Sequence, residues 1–322
     1  VKRVTVIAQR KELAKIEKAV GDLIYNVENL DNGLVRIDIY VNDALLDELI
    51  PKLQKSVDLR HKESVIEVSS PDFVISSALK RKEKGIKREE RATVEELLAS
   101  SKKYTKIDVG KTILTMIAGI IALIGLFMNN VPIIIGAMLL SPLLGPIYSF
   151  VINTSVGRSR DALLSLLNMA IMLILVILTS YIATIVISIF MPLNLTQEIL
   201  LRFDTNPIYI LMAILLGFAA VFAYAKGLSE SIAGIAIAAA LLPPLVVSGI
   251  ALALYIDYSA KPLLLSMENI VGLIAGGLMA IIALKIEPRR YYEKARARKM
   301  LHRLYLTLGS LLIIIILLSL VL

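Results

Sequence analysis

The chain has no cysteine, no tryptophan and only two histidines among 322 residues. Without cysteine there is no disulfide, no thiolate nucleophile and no cysteine-based metal site. His61 and His302 stand far apart in the sequence, which argues against a histidine metal site and suits surface or interfacial positions. Charge is also sparse, with 19% Asp, Glu, Lys and Arg against 57% hydrophobic residues, more apolar than soluble chains of this size. No pair of membrane aspartates, no Gly-x-Ser-x-Gly elbow and no His-Glu-x-x-His helix occurs, so neither an enzyme nor a cofactor is expected. The net charge of +8 comes without an aromatic-interleaved basic patch of the sort that stacks bases, so nucleic acid is not an expected partner. Its Lys and Arg residues instead gather beside apolar runs, where they set orientation and meet anionic headgroups.

What is present divides the chain. Residues 1–75 predict an α+β soluble domain. "RVTVIAQ" reads as a strand that opens the chain, and no cleavable signal peptide is expected. Leu13, Ile16, Val20 and Leu23 follow at helical spacing. Asp31-Asn32-Gly33 is a tight-turn signal before the alternating strand Val35, Ile37, Ile39 and Val41. Leu46, Leu49, Leu53 and Val57 then mark a second helix, and "ESVIEVS" a last strand. The order β-α-β-β-α-β is that of a ferredoxin-like sandwich, a fold that hosts many functions and proves none. Residues 76–107 read as a charged linker, with a short amphipathic helix around "TVEELLAS".

The rest predicts an α-helical polytopic membrane protein, because apolar runs near the roughly 20 residues needed to cross a bilayer follow one another. Seven spans are expected, at about 109–128, 131–151, 162–190, 208–226, 230–255, 267–286 and 304–322, with a basic interfacial helix at 287–303. Six of them form the membrane domain 108–286, and the seventh stands apart. Arg158, Arg160, Lys226 and the basic run from Lys285 to Arg303 fall on one side, while the other side holds little beyond Arg202 and Lys261. The positive-inside rule then predicts a multi-pass protein of the cell (inner) membrane, with the N-terminal domain cytoplasmic and the C-terminus outside.

Two passages within the membrane domain match. "AMLLSPLLGPI" from Ala137 and "AALLPPLVVSGI" from Ala239 share Ala, Leu, Pro and Leu at an offset of 102. Asn168 and Asn269 also fall near the starts of the third and sixth expected spans. The second and fifth spans lie three crossings apart and so run in opposite directions, which predicts a 3+3 inverted repeat. Pro142 lies about 18 Å and Pro244 about 21 Å along its helix, both near the midplane. A proline there frees a backbone carbonyl that lipid cannot satisfy, so the break must face protein or a polar cavity. A merely kinked helix packed on small residues is the competing reading.

"NNVPIIIGAMLLSPLLGPI" and "SESIAGIAIAAALLPPLVVSGIAL" resemble the signature segments of domain-of-unknown-function family 389, membrane proteins of bacteria and archaea. The resemblance covers residues 108–255 and implies a membrane location and a shared core, with no substrate or reaction. The functional expectation therefore comes from the residues. It is a transporter or channel for a small solute or ion, an anion by preference, because two half-helix N-termini would point at the centre. Ser141, Pro142, Gly145, Pro243, Pro244 and Ser248 are the expected lining. Asn130 and Glu230 stand at the mouths, and Asn168 and Asn269 reach in from neighbouring spans. The alternative is a membrane-anchored sensor or scaffold whose soluble domain carries the function. Gly272, Gly276 and Gly277 are spaced for helix contact, and a homo-oligomer is expected.

Overall fold

The computed structural model describes residues 2–41, 43–69, 71, 94–204, 206–288 and 291–321. Most of the charged linker, residues 76–93, lies outside them. The chain divides into two compact units, Val1–Thr93 and Val94–Leu322.

In the first unit β1 (Lys2–Gln9), α1 (Leu13–Val20), β2 (Ile24–Asn29), β3 (Leu34–Val41), α2 (Asp43–Ser56) and β4 (Val65–Ser69) follow in the expected order. The strands pair antiparallel in the order β2-β3-β1-β4, which is the ferredoxin-like arrangement. Alternation decides which face is buried. Val4, Val6 and Ala8 of β1 and Val35, Ile37, Ile39 and Val41 of β3 form one core with Ile16 and Val20 of α1 and Leu46, Leu49 and Leu53 of α2. The β2–β3 turn places Asn32 at φ 64° and Gly33 at φ 75°, the left-handed region that Asn and Gly enter with least strain. Asn32→Val puts a β-branched residue there. It is expected to lower the stability of this unit by about 1–2 kcal/mol, read as a shifted urea midpoint with an unchanged slope.

The second unit is helical. It comprises α3 (Val94–Lys102), α4 (Val109–Phe127), α5 (Val131–Leu140), α6 (Leu144–Ser155), α7 (Ser159–Phe190), α8 (Gln197–Leu200), α9 (Pro207–Ala225), α10 (Glu230–Leu254), α11 (Ala260–Ala283) and α12 (Tyr291–Val321). Among the described residues five helices are long and apolar enough to cross a membrane: α4, α7, α9, α10 and α11. A sixth crossing results if α5 and α6, bent by 49° at their junction, count as one span. Helix starts follow local chemistry. The side chains of Asp108, Asn130 and Asn206 accept the N–H groups of Lys111, Ile133 and Ile208, and Pro132 and Pro207 occupy first-turn positions that need no donor.

Burial separates centre from periphery. In the most apolar stretches of α10 and α11, 78% and 72% is buried, against 28–39% in α4, α7 and α9. α10 and α11 are therefore enclosed by the others. α9 and α11 touch through their backbones. A Cβ on Gly217 would overlap the carbonyl of Leu273, one on Gly276 the carbonyl of Ile214, and one on Gly272 would lie 2.7 Å from the Ala213 Cβ. Gly277 packs against Val151 and Val221. The glycines read as a contact stripe are thus occupied inside the protomer, and they do not supply an oligomer interface.

Three expectations need correction. First, α10 is one helix with Pro243 and Pro244 in its interior, so only the first of the two expected breaks occurs. Second, α11 begins at Ala260 rather than near 267, because Pro262 sits in its first turn, where proline is tolerated. Glu268 thereby lies about 12 Å into the helix instead of at its end. Third, the basic interfacial helix and the last apolar run form the single helix α12, since no proline occurs anywhere in residues 291–321.

Candidate functional site

The break between α5 and α6 follows from Pro142. A residue before proline is steered out of the helical region, and Ser141 is extended at φ −84°, ψ 114°. Its N–H returns to the Met138 carbonyl at 3.3 Å. The Ser141 hydroxyl is buried, and its oxygen has no partner among the described residues. A crevice of about 190 Å³ opens here, lined by Met138 to Pro142, Leu144 and Gly234 of α10.

Behind the break, the absent side chain of Gly145 makes room for the Tyr104 ring, on which a Cβ would fall. The Lys111 ammonium lies 4.0 Å from the centre of that ring. Asn168 donates to the carbonyls of Tyr104 at 3.0 Å and Lys106 at 3.3 Å. The segment after α3 is thereby fastened over Pro142 and Pro146. α3 itself docks on α6 through polar contacts. The Tyr148 hydroxyl donates to the Leu97 carbonyl, the Ser149 hydroxyl donates to the Ser101 carbonyl, and the Asn153 amide donates to the Ser101 hydroxyl.

The second proline position is built differently. Pro244 has no N–H for the carbonyl of Ala240 four residues back. The Asn269 amide of α11 supplies that donor instead, at 2.7 Å. Ser248 turns its hydroxyl back onto the Pro244 carbonyl at 2.8 Å and is fully buried. Pro243 likewise leaves the carbonyl of Ala239 without its usual donor. A crevice of about 330 Å³ ends here, with Ala239, Ala240, Pro244 and Asn269 in its lining and Glu198 and Arg202 on its wall. Arg202 donates to the carboxylate and to the backbone carbonyl of Glu198. Asn269 is 3% exposed, and its side-chain oxygen has no partner among the described residues.

The expected site residues therefore separate into groups. Ser141 and Pro142 share the smaller crevice; Pro244 and Asn269 share the larger. Gly145 and Asn168 meet through Tyr104 rather than through the crevices. Asn130 caps α5, Ser248 is satisfied within α10, and Pro243 lies inside that helix. The backbone of Glu230 opens α10, while its side chain lies outside the description. Sequence reasoning missed Ala239 and the Glu198–Arg202 pair, and it placed Glu268 close to a span end rather than inside the helix. Glu268 is 1% exposed with one carboxyl oxygen unpartnered among the described residues. Its signal was Pro262, which is a helix start rather than a boundary.

Residues 138–275 match the family model described as "Domain of unknown function (DUF389)". An uncharacterized protein of Methanocaldococcus jannaschii is 29% identical over 212 residues, which is 65% of this chain and 65% of that protein. The match thus spans just under two thirds of the relative's length. No solved structure matches.

Proposed function

We propose that the chain, whose residues 138–275 match the DUF389 family model, is a membrane transporter or channel for a small solute or ion. One observation carries the reading. Each of the two matching prolines, Pro142 and Pro244, lines a crevice that also holds a buried, unpartnered side-chain oxygen, on Ser141 and on Asn269. Polar groups left unsatisfied at membrane depth are characteristic of solute paths. The reading treats α4–α7 and α9–α11 as a 3+3 inverted repeat around those prolines, with α12 as a further span and the N-terminal domain cytoplasmic. An anion preference keeps support only at the Ser141 end, where α6 starts without a side-chain cap on its first-turn N–H groups. At the other end the helix is continuous. Homo-oligomerisation remains part of the proposal, through surfaces other than the glycine stripe.

The alternative, a sensor or scaffold, draws on a cleft of about 530 Å³ in the first unit, lined by Lys11, Lys15, Lys55 and Arg60 among others. Glu12 and Asp58 also line it, and Asp58 holds Arg60, which leaves the three lysines as the groups that could meet an acidic ligand.

The test is flux into liposomes holding the full-length protein under an imposed potential, with a panel of anions, cations and neutral solutes. Ser141→Trp and Ala239→Trp, each at a crevice, are expected to reduce flux by about tenfold or more, an activation cost of at least about 1.4 kcal/mol, with helicity unchanged. Flux that ignores both substitutions rules out this path. Absence of flux with every solute favours the sensor reading.

A further inference from the structure

The larger crevice has a chemical polarity of its own. Its floor offers hydrogen-bond acceptors. The Asn269 amide nitrogen is committed to Ala240, so what Asn269 leaves over is its side-chain oxygen. Ala239, exposed in the crevice lining, carries the carbonyl that Pro243 cannot pair. Among the described residues no cation stands at the floor to complement a negative charge. Arg202, the basic group in the lining, is already held by the carboxylate and backbone carbonyl of Glu198. An anion arriving here meets acceptor oxygens and an Arg202 already paired with Glu198, whereas a compact cation with N–H groups meets partners it can bond. The volume of about 330 Å³ is at the small end of ligand pockets.

We propose that the Ala239–Asn269 crevice binds a small cation that donates hydrogen bonds, ammonium or a primary alkylammonium. The proposal rests on the transport reading for the solute's passage and replaces that reading's anion preference at this end of the path. The donors of the ion reach the Asn269 side-chain oxygen and the Ala239 carbonyl, and binding needs no change in the Ala240–Asn269 bond.

The experiment titrates the full-length protein in detergent with methylammonium chloride, following its thermal midpoint at constant ionic strength. Tetramethylammonium chloride, which has charge and no N–H donor, and sodium nitrate are the comparators. A saturable rise with methylammonium is expected, absent with tetramethylammonium. Ala239→Leu, which fills the crevice and leaves the Asn269–Ala240 bond in place, is expected to weaken binding about tenfold or more. Equal effects of the two ammonium ions overturn the proposal, as does a saturable response to nitrate that Ala239→Leu removes, or no response to any probe. Liposome flux keeps the two readings apart. Methylammonium binding without flux preserves the site and sinks transport. Anion flux blocked by Ala239→Leu preserves transport and sinks the cation site.

Discussion

Gly276→Ala is expected to destabilise the membrane unit by about 3 kcal/mol, and Gly276→Leu to prevent its folding. The reason is the nature of the neighbour. A Cβ at this position overlaps the backbone carbonyl of Ile214, which cannot rotate away as a side chain can. Relief requires α9 and α11 to separate, and their separation also breaks the close approaches at Gly217 and Gly272. Inside a bilayer, helix association rests on such contact more than on exclusion of water, so lost proximity is not recovered elsewhere. Gly136→Ala is the control. Nothing lies within 4 Å of its Cβ position, and the helix propensity of alanine predicts no loss, or a gain of up to about 1 kcal/mol. Both are read from thermal unfolding in detergent. Unchanged stability in Gly276→Ala means that α9 and α11 do not meet there.

The second large effect is a coupling. Asn269→Leu strips the donor from the Ala240 carbonyl, which is then buried without a partner, and is expected to cost about 2 kcal/mol. Pro244→Ala restores an N–H to the helix, and the Ala240 carbonyl then has its ordinary partner. In that background Asn269→Leu is expected to cost less than about 0.5 kcal/mol. The double-mutant cycle isolates the interaction between the two positions. Equal costs in both backgrounds mean that Asn269 stabilises the fold by some route other than repair of the proline gap.

That coupling also explains which parts of the molecule were legible in its sequence. The N-terminal unit was almost wholly so, because its signals are local. Val35, Ile37, Ile39 and Val41 alternate, Leu46, Leu49 and Leu53 share a helical face, and all of them are buried. Asn32 and Gly33 take the positive φ their turn requires. Pro142 was read correctly for the same reason, since Ser141 and Pro142 break their own helix. Pro243 and Pro244 were misread because the compensating group stands far away in the chain. Rules for proline count backbone donors nearby, whereas the donor to Ala240 is a side chain 29 residues on. The matching Asn168 is engaged with Tyr104 and Lys106, and the first break stays open. Two passages with the same spelling therefore have different shapes. The large crevice escaped notice because the Glu198–Arg202 pair and Ala239 meet only in the folded chain. The glycine stripe was recognised as a contact surface, but its partner, α9, was not identifiable from spacing alone.

The bond between Asn269 and Ala240 has a consequence for biosynthesis. α10 leaves the ribosome before α11, so it reaches the bilayer with the carbonyls of Ala239 and Ala240 bare. Hydrocarbon exacts several kcal/mol for such a group. The helix that supplies the missing donor follows after a short connection, from Tyr255 to Ser259. A chain halted after Leu254 is therefore expected to hold α10 at the translocon or the membrane surface. Release into lipid awaits the arrival of Asn269, which makes the pair α10–α11, rather than either helix, the unit of insertion.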